Sequence, residues 1–309
     1  MREKERTQIG KRNKMSSYIL STCSTADITP EHMKSRNIEY IKFVFLTDGK
    51  ENFDDLGETI KFKDFYGMMK NGTDTKTSQP NIDDYKNYFE PFLKSGKDVI
   101  HLNLSSGLSG ATTSARLAAA ELLEMYPERK LYIVDSLGAC GGMGVLITEM
   151  ADLRDSGMDI DELYSWTEAN KKRVHHWFFS TDLTFYVKGG RVSKVAGWFG
   201  TILKICPLLN IDVNGKLTPR KKIRGKAGVI KEIVAKMEEN ADNGLNYDGK
   251  CYINHADCYE DALAVKELIE EKFPNLKDKI LVNYIGTTIG SHTGPGTVAL
   301  FFFGKERVD

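Results

Sequence analysis

Apolar positions in the first half of the chain fall into short β-type runs separated by stretches with helical spacing. Residues 18–21, 40–46, 98–104 and 131–134 read as strands, and 30–36, 62–70, 82–94, 109–125 and 142–154 read as helices. The run 98–104 is apolar except at His101 and Asn103, as expected of a strand covered on both faces. Strand–helix alternation at this spacing predicts a parallel sheet flanked by helices. From about Asp159 the pattern changes. A helix at 159–173, a strand at 177–180 and a glycine-rich basic segment lead to apolar residues 207–213, then Asn214-Gly215, then a strand at 216–219. Asn-Gly between two strands predicts a hairpin with a type I′ turn. A helix near 229–239, a strand at 251–255, a helix at 262–273 and strands at 281–285 and 297–303 follow. The pattern predicts an N-terminal α/β domain over 15–165 and a C-terminal α+β domain over 166–309. Residues 1–14 read as a disordered basic extension with no apolar segment behind it.

Composition narrows the class. The 309 residues carry 43 Lys+Arg and 43 Asp+Glu, for a formal net charge of zero. This argues against nucleic acid or an anionic membrane surface as the main partner. No apolar run approaches the length needed to span a bilayer. Five cysteines, odd in number and without a CxxC pair, suit neither a disulfide framework nor a zinc site, and reduced thiols fit a cytoplasmic protein. No Walker A pattern is present, and Gly138–Gly144 does not match a dinucleotide loop. No metal or cofactor is expected.

Three segments carry candidate chemistry. Asn103-Leu-Ser-Ser-Gly-Leu-Ser-Gly110 lies where a buried strand gives way to a helix. Ser105, Ser106 and Ser109 there could hold a carboxylate or phosphate with neutral donors at the helix start, or one serine could simply cap the helix. Thr77-Ser-Gln-Pro-Asn81 also precedes a helix, with Asn81 and Asp84 spaced as a capping box. Gly290-Ser-His-Thr-Gly-Pro-Gly296 places His292 in what reads as a loop between strands. Ser109 with His292 would suit a serine hydrolase or phosphotransferase, but Gly107-Leu-Ser-Gly-Ala111 lacks the last glycine of a GxSxG elbow. Two basic segments, Lys188-Gly-Gly-Arg191 and Arg220–Lys226, suit a phosphate or an acidic partner.

Taken together, these segments resemble the DegV family of bacterial fatty-acid-binding proteins. The resemblance rests on Ser24-Thr-Ala-Asp27, Thr77-Ser-Gln-Pro80, Ser105-Ser-Gly-Leu-Ser-Gly110, Val134-Asp-Ser136, Lys188-Gly-Gly-Arg191, Lys222-Ile-Arg224 and Ser291-His-Thr-Gly-Pro-Gly296, in family order. Cys23 stands where the family usually has Asp, and Ala111 where Thr is common. The resemblance implies a two-domain fold with a parallel N-terminal sheet and a mixed C-terminal sheet. It implies a long-chain fatty acid whose carboxylate meets Thr77, Ser109 and His292, with Ser78 and Ser106 as further candidates. It also implies a separate ATP-dependent kinase subunit that makes the acyl phosphate, with Arg191 and Arg224 serving that encounter and no catalysis by this chain alone. Each buried CH₂ contributes about 0.8 kcal/mol, so a tail of roughly fifteen carbons supplies on the order of 10 kcal/mol. The polar group then need only fix orientation.

Overall fold

The computed structural model describes residues 18–192 and 205–308. The basic extension at 1–14 and the end of the segment after Val192 lie outside them. The chain runs β1 (Tyr18–Cys23), α1 (Pro30–Ser35), β2 (Ile38–Ile41), β3 (Val44–Thr47), β4 (Lys50–Phe53), α2 (Phe62–Lys70), β5 (Thr75–Ser78), α3 (Ile82–Lys94), β6 (Asp98–Asn103), α4 (Ala111–Met125), β7 (Leu131–Asp135), α5 (Gly141–Asp155) and α6 (Ile160–Asn170). It continues with β8 (Val174–Ser180), α7 (Thr184–Gly189), β9 (Ile205–Ile211), β10 (Leu217–Arg224), α8 (Lys226–Asn240), β11 (Cys251–His255), α9 (Tyr259–Lys272), β12 (Leu281–Tyr284), α10 (Thr287–Thr293) and β13 (Thr297–Phe303).

The first sheet has the order β2-β1-β6-β7 and is parallel throughout. The second, β10-β9-β8-β13-β11-β12, is mixed, with β11 and β12 its parallel pair. Both match the α/β architecture expected from the sequence. A third antiparallel sheet, β4-β3-β5, was not expected. Residues 40–46 read as one strand, but β2 ends at Ile41 and β3 starts at Val44 in a different sheet. The buried Phe43 turns the chain between them, its amide held by Ser24 Oγ at 3.2 Å.

Helix α5 lies between the first and second sheets, and its glycines make the approach close. A Cβ at Gly142 would stand 2.1 Å from His176 Nε2 on β8; one at Gly144 would stand 2.6 Å from Ile28 and 2.9 Å from the Ala26 carbonyl. Gly142 thus lets the helix pack closely on the second sheet, and Gly144 does the same for the loop after β1. Strand β8 begins three residues before its apolar signal because His175 and His176, although polar, are both buried. The β9–β10 turn is not type I′. Only Gly215 has positive φ (74°), the Gly215 amide donates to the Asp212 carbonyl, and the Asp212 carboxylate accepts from the amides of Asn214 and Lys216. An Asp four residues before Lys216 thus sets the turn, through a side chain that competes with the backbone geometry Asn-Gly favours.

Candidate functional site

A cavity of about 290 Å³ opens where the three sheets meet, at the lower end of the range for small-molecule sites. Its wall is largely apolar, with Phe43, Leu104, Ile211, Phe178 and Phe301 among its residues, and one group of polar side chains comprises Thr77, Ser78, Gln79, Ser109, Arg191 and His292.

Thr77 comes from β5, in register with Phe45 on β3, so the unexpected third sheet is what positions it. His292 comes from the last turn of α10. The sequence segment read as a loop is helical as far as Thr293, and it ends where Gly294 takes φ 69°. Gly290 is there for packing: a Cβ would lie 2.4 Å from the Tyr66 hydroxyl, which itself donates to the Ile285 carbonyl at 2.8 Å. Thr77 Oγ1 and His292 Nε2, 215 residues apart, meet at 2.7 Å. Burial, and then the nearby Arg191 charge, push the His292 imidazole down to about 4, so the ring is neutral at pH 7. Its Nδ1 is buried without a partner. A neutral ring carries one proton, and Nε2 is the nitrogen with an acceptor to donate it to. Thr77 Oγ1 then accepts from the ring and keeps its own proton for a ligand.

Ser109 lies two residues before α4 and accepts from the Ala111 amide at 3.2 Å. Its hydroxyl donates to Gln79 Oε1 at 2.6 Å. An amide oxygen cannot take up a proton as a base, and His292 Nε2 is engaged with Thr77, so this geometry does not activate Ser109 as a nucleophile. Gln79 is the site residue the sequence reasoning missed, although it sits inside the Thr77–Pro80 motif. Asn81 and Asp84 form the expected capping box, which fixes the start of α3 behind that motif.

Of the other candidates, Ser78 is exposed and lines the cavity. Ser106 does not. It is exposed, and its amide donates to Asp135 Oδ1. The buried Ser105 donates to the Gly215 carbonyl at 2.8 Å, docking the β9–β10 turn, so its hydroxyl is committed to the fold. Asp135 accepts from the amides of Ser106 and Leu137, which gives the Val134-Asp-Ser136 motif a structural task. Arg191 is exposed yet lines the cavity, so it borders both the cavity and solvent. Arg224 is exposed at the far end of β10. The Val192–Leu217 bridge puts Arg191 near the start of that strand, and seven residues at about 3.3 Å each separate the two arginines by roughly 20 Å. They do not form one patch. Buried Cys23 donates to Asn103 Oδ1 at 3.2 Å and lies 3.6 Å from His101 Nε2, away from the cavity.

The family model describing an uncharacterised protein of the DegV family matches residues 20–305. The chain belongs to the DegV family. It is 37% identical over 293 residues to a DegV domain-containing protein of Clostridium perfringens, covering 95% of this chain and 99% of that one. It is 30% identical over 291 residues to the fatty acid-binding protein of Thermotoga maritima, covering 93% and 96% of the two chains. Its structure aligns with that of a DegV lipid binding protein from Thermotoga maritima at a TM-score of 0.80 and 27% identity, over 94% of this chain and 99% of the other. Among the described residues, no helix is long and apolar enough to cross a membrane.

Proposed function

We propose that this DegV protein binds a long-chain fatty acid in the cavity between its sheets and presents it to a separate ATP-dependent kinase subunit. The tail lies along the apolar wall, and the carboxylate sits between Thr77 and Ser109 with His292 behind Thr77. The observation that carries this reading is the Thr77–His292 hydrogen bond in the same largely apolar cavity as Ser109. Two hydroxyls and a neutral imidazole orient the anion without a buried counter-charge, and a carboxylate held in that way remains available for phosphorylation. Arg191, at the cavity, faces the incoming phosphate, and Arg224 contacts the partner farther along β10. The pairing of Ser109 with an amide rather than a base fits a chain that performs no catalysis of its own. The domains 15–165 and 166–309 enclose the acid between them. The five free cysteines suit a reducing cytoplasm.

Organic extraction of the purified protein, followed by mass spectrometry, tests this reading. It expects acyl chains in about equimolar amount, or a raised melting temperature when oleate is added to stripped protein. Extracts without acyl species, together with an unmoved melting temperature, overturn it.

A further inference from the structure

A second cavity of about 200 Å³ opens between the β1–α1 loop, the segment leading into α2, and the β11–β12 edge of the second sheet. None of its lining residues belongs to the fatty-acid cavity. Asp27 lines it, is only 4% exposed, and finds no hydrogen-bond partner for either carboxylate oxygen. Behind Asp27 is Asp54, 1% exposed, with one oxygen also unpartnered and the other accepting from the Thr288 amide at 3.2 Å. Glycine at 286 makes room for the pair. A Cβ there would lie 2.4 Å from Asp27 Oδ1 and 3.7 Å from Asp54 Oδ2. His255, 2% exposed, lines the same cavity and has an unpartnered Nδ1.

The rest of the wall is aromatic. The His255 ring lies 4.4 Å from Tyr284 and 5.5 Å from Tyr259, and Phe62 stacks on Tyr284 at 5.5 Å. Burial, and then the Asp54 carboxyl behind it, push the Asp27 carboxyl well above its ordinary value, so the acid form is favoured until a cation draws out the carboxylate. An anion would raise the cost of ionising both groups further, which disfavours a second fatty acid here. A neutral apolar occupant would leave Asp27 unpaired. Among the described residues, no three of His, Cys, Asp and Glu gather in a metal-holding group, which disfavours an inorganic ion. Rings beside a buried acid are the wall chemistry that attracts organic cations.

We propose that this second cavity binds a small organic ammonium ion, with the Asp27 carboxylate as its counter-ion and Phe62, Tyr259 and Tyr284 as its aromatic walls. The site is independent of fatty-acid binding. The test is calorimetric titration of the full-length protein, with and without oleate loaded, using n-butylammonium chloride. Sodium chloride at equal ionic strength and n-butanol, the neutral isostere, serve as controls. The expected result is saturable binding of one butylammonium per chain, unchanged by oleate and at least tenfold tighter than butanol. It is lost in Asp27→Asn and three- to tenfold weaker in Tyr259→Ala. Tyr259 is half exposed, so its truncation spares the fold and decides the matter even if Asp27→Asn does not fold. Absence of saturable binding, equal affinity for butanol, displacement by oleate, or full affinity in Tyr259→Ala each overturns the proposal.

Discussion

Replacing Thr77 by Val tests the head-group arrangement with the least change of shape, since a methyl group takes the place of the hydroxyl. Two losses follow from the geometry. A carboxylate loses the donor that the Thr77–His292 pairing leaves free, and His292 Nε2 loses its partner at 2.7 Å. A hydrogen bond to a charged group contributes about 1.5–3 kcal/mol, and each 1.4 kcal/mol is tenfold in affinity. Oleate should therefore bind about 10- to 100-fold more weakly to Thr77→Val. Thr77 is only half-buried, so the orphaned imidazole nitrogen costs the folded protein about 1 kcal/mol, the low end for an unsatisfied polar group. That corresponds to a fall of roughly 1–2 °C in melting temperature for a chain of 309 residues. Calorimetry with oleate and with methyl oleate separates the two losses, because the ester presents no carboxylate charge and should feel the substitution much less. A double-mutant cycle with His292→Ala should show coupling of about 1 kcal/mol, because the two side chains share one bond. Unchanged oleate affinity in Thr77→Val, or equal losses for acid and ester, would refute the assignment of the carboxylate to this end of the cavity.

Other outcomes follow from the same structure. Burial holds His101 at about 3 and His175, His255 and His292 at about 4, each below the ordinary histidine value of about 6.5. Because these native-state values are depressed, the stability they carry is complete above pH 6.5 and is lost as pH falls toward 4, which thermal melts across that window should show as a steep decline. Oleate affinity should stay flat from pH 6 to 8, because His292 does not charge there; a step near pH 6.5 would contradict the neutral imidazole. Gly142→Ala should cost about 2–3 kcal/mol, read by denaturant unfolding, since the added Cβ falls 2.1 Å from His176 Nε2 at a packed helix–sheet contact. Arg224→Ala should leave oleate affinity and melting temperature unchanged while slowing acyl-phosphate formation with a kinase partner, most at low salt, where the lost charge is least screened. Arg191→Ala should lower oleate affinity as well, because Arg191 lines the cavity; lipid loss in Arg224→Ala would reverse the assignment of the two surfaces.

Much of the fold was legible because the first sheet is built of apolar runs with helices at regular spacing. The third sheet was not legible. Its strands are four residues each, and β4 and β5 are rich in Lys, Asn, Thr and Ser. Strand β8 was read short because two buried histidines interrupt its apolar pattern. The helix carrying His292 was hidden by Gly290, which packs against Tyr66 and does not form a turn, and by the Gly294 and Gly296 that follow its end. Among the cavity residues, the motifs pointed to Thr77, Ser109 and His292, but not to why Ser105 is withdrawn from the cavity. That depends on the β9–β10 turn, which claims Ser105 from another part of the chain. The tail wall was invisible for a simpler reason. Ile211, Phe178 and Phe301 have the same pattern in a strand whether they meet core or ligand.

The most direct test of the account is a crystal structure of the protein loaded with oleate. The account predicts one acyl chain along Phe178 and Phe301. Its carboxylate oxygens should lie at hydrogen-bond distance from Thr77 Oγ1 and Ser109 Oγ, with the Ser109 hydroxyl turned away from Gln79. A carboxylate found elsewhere, with the hydrocarbon end against Thr77 and His292, would contradict it.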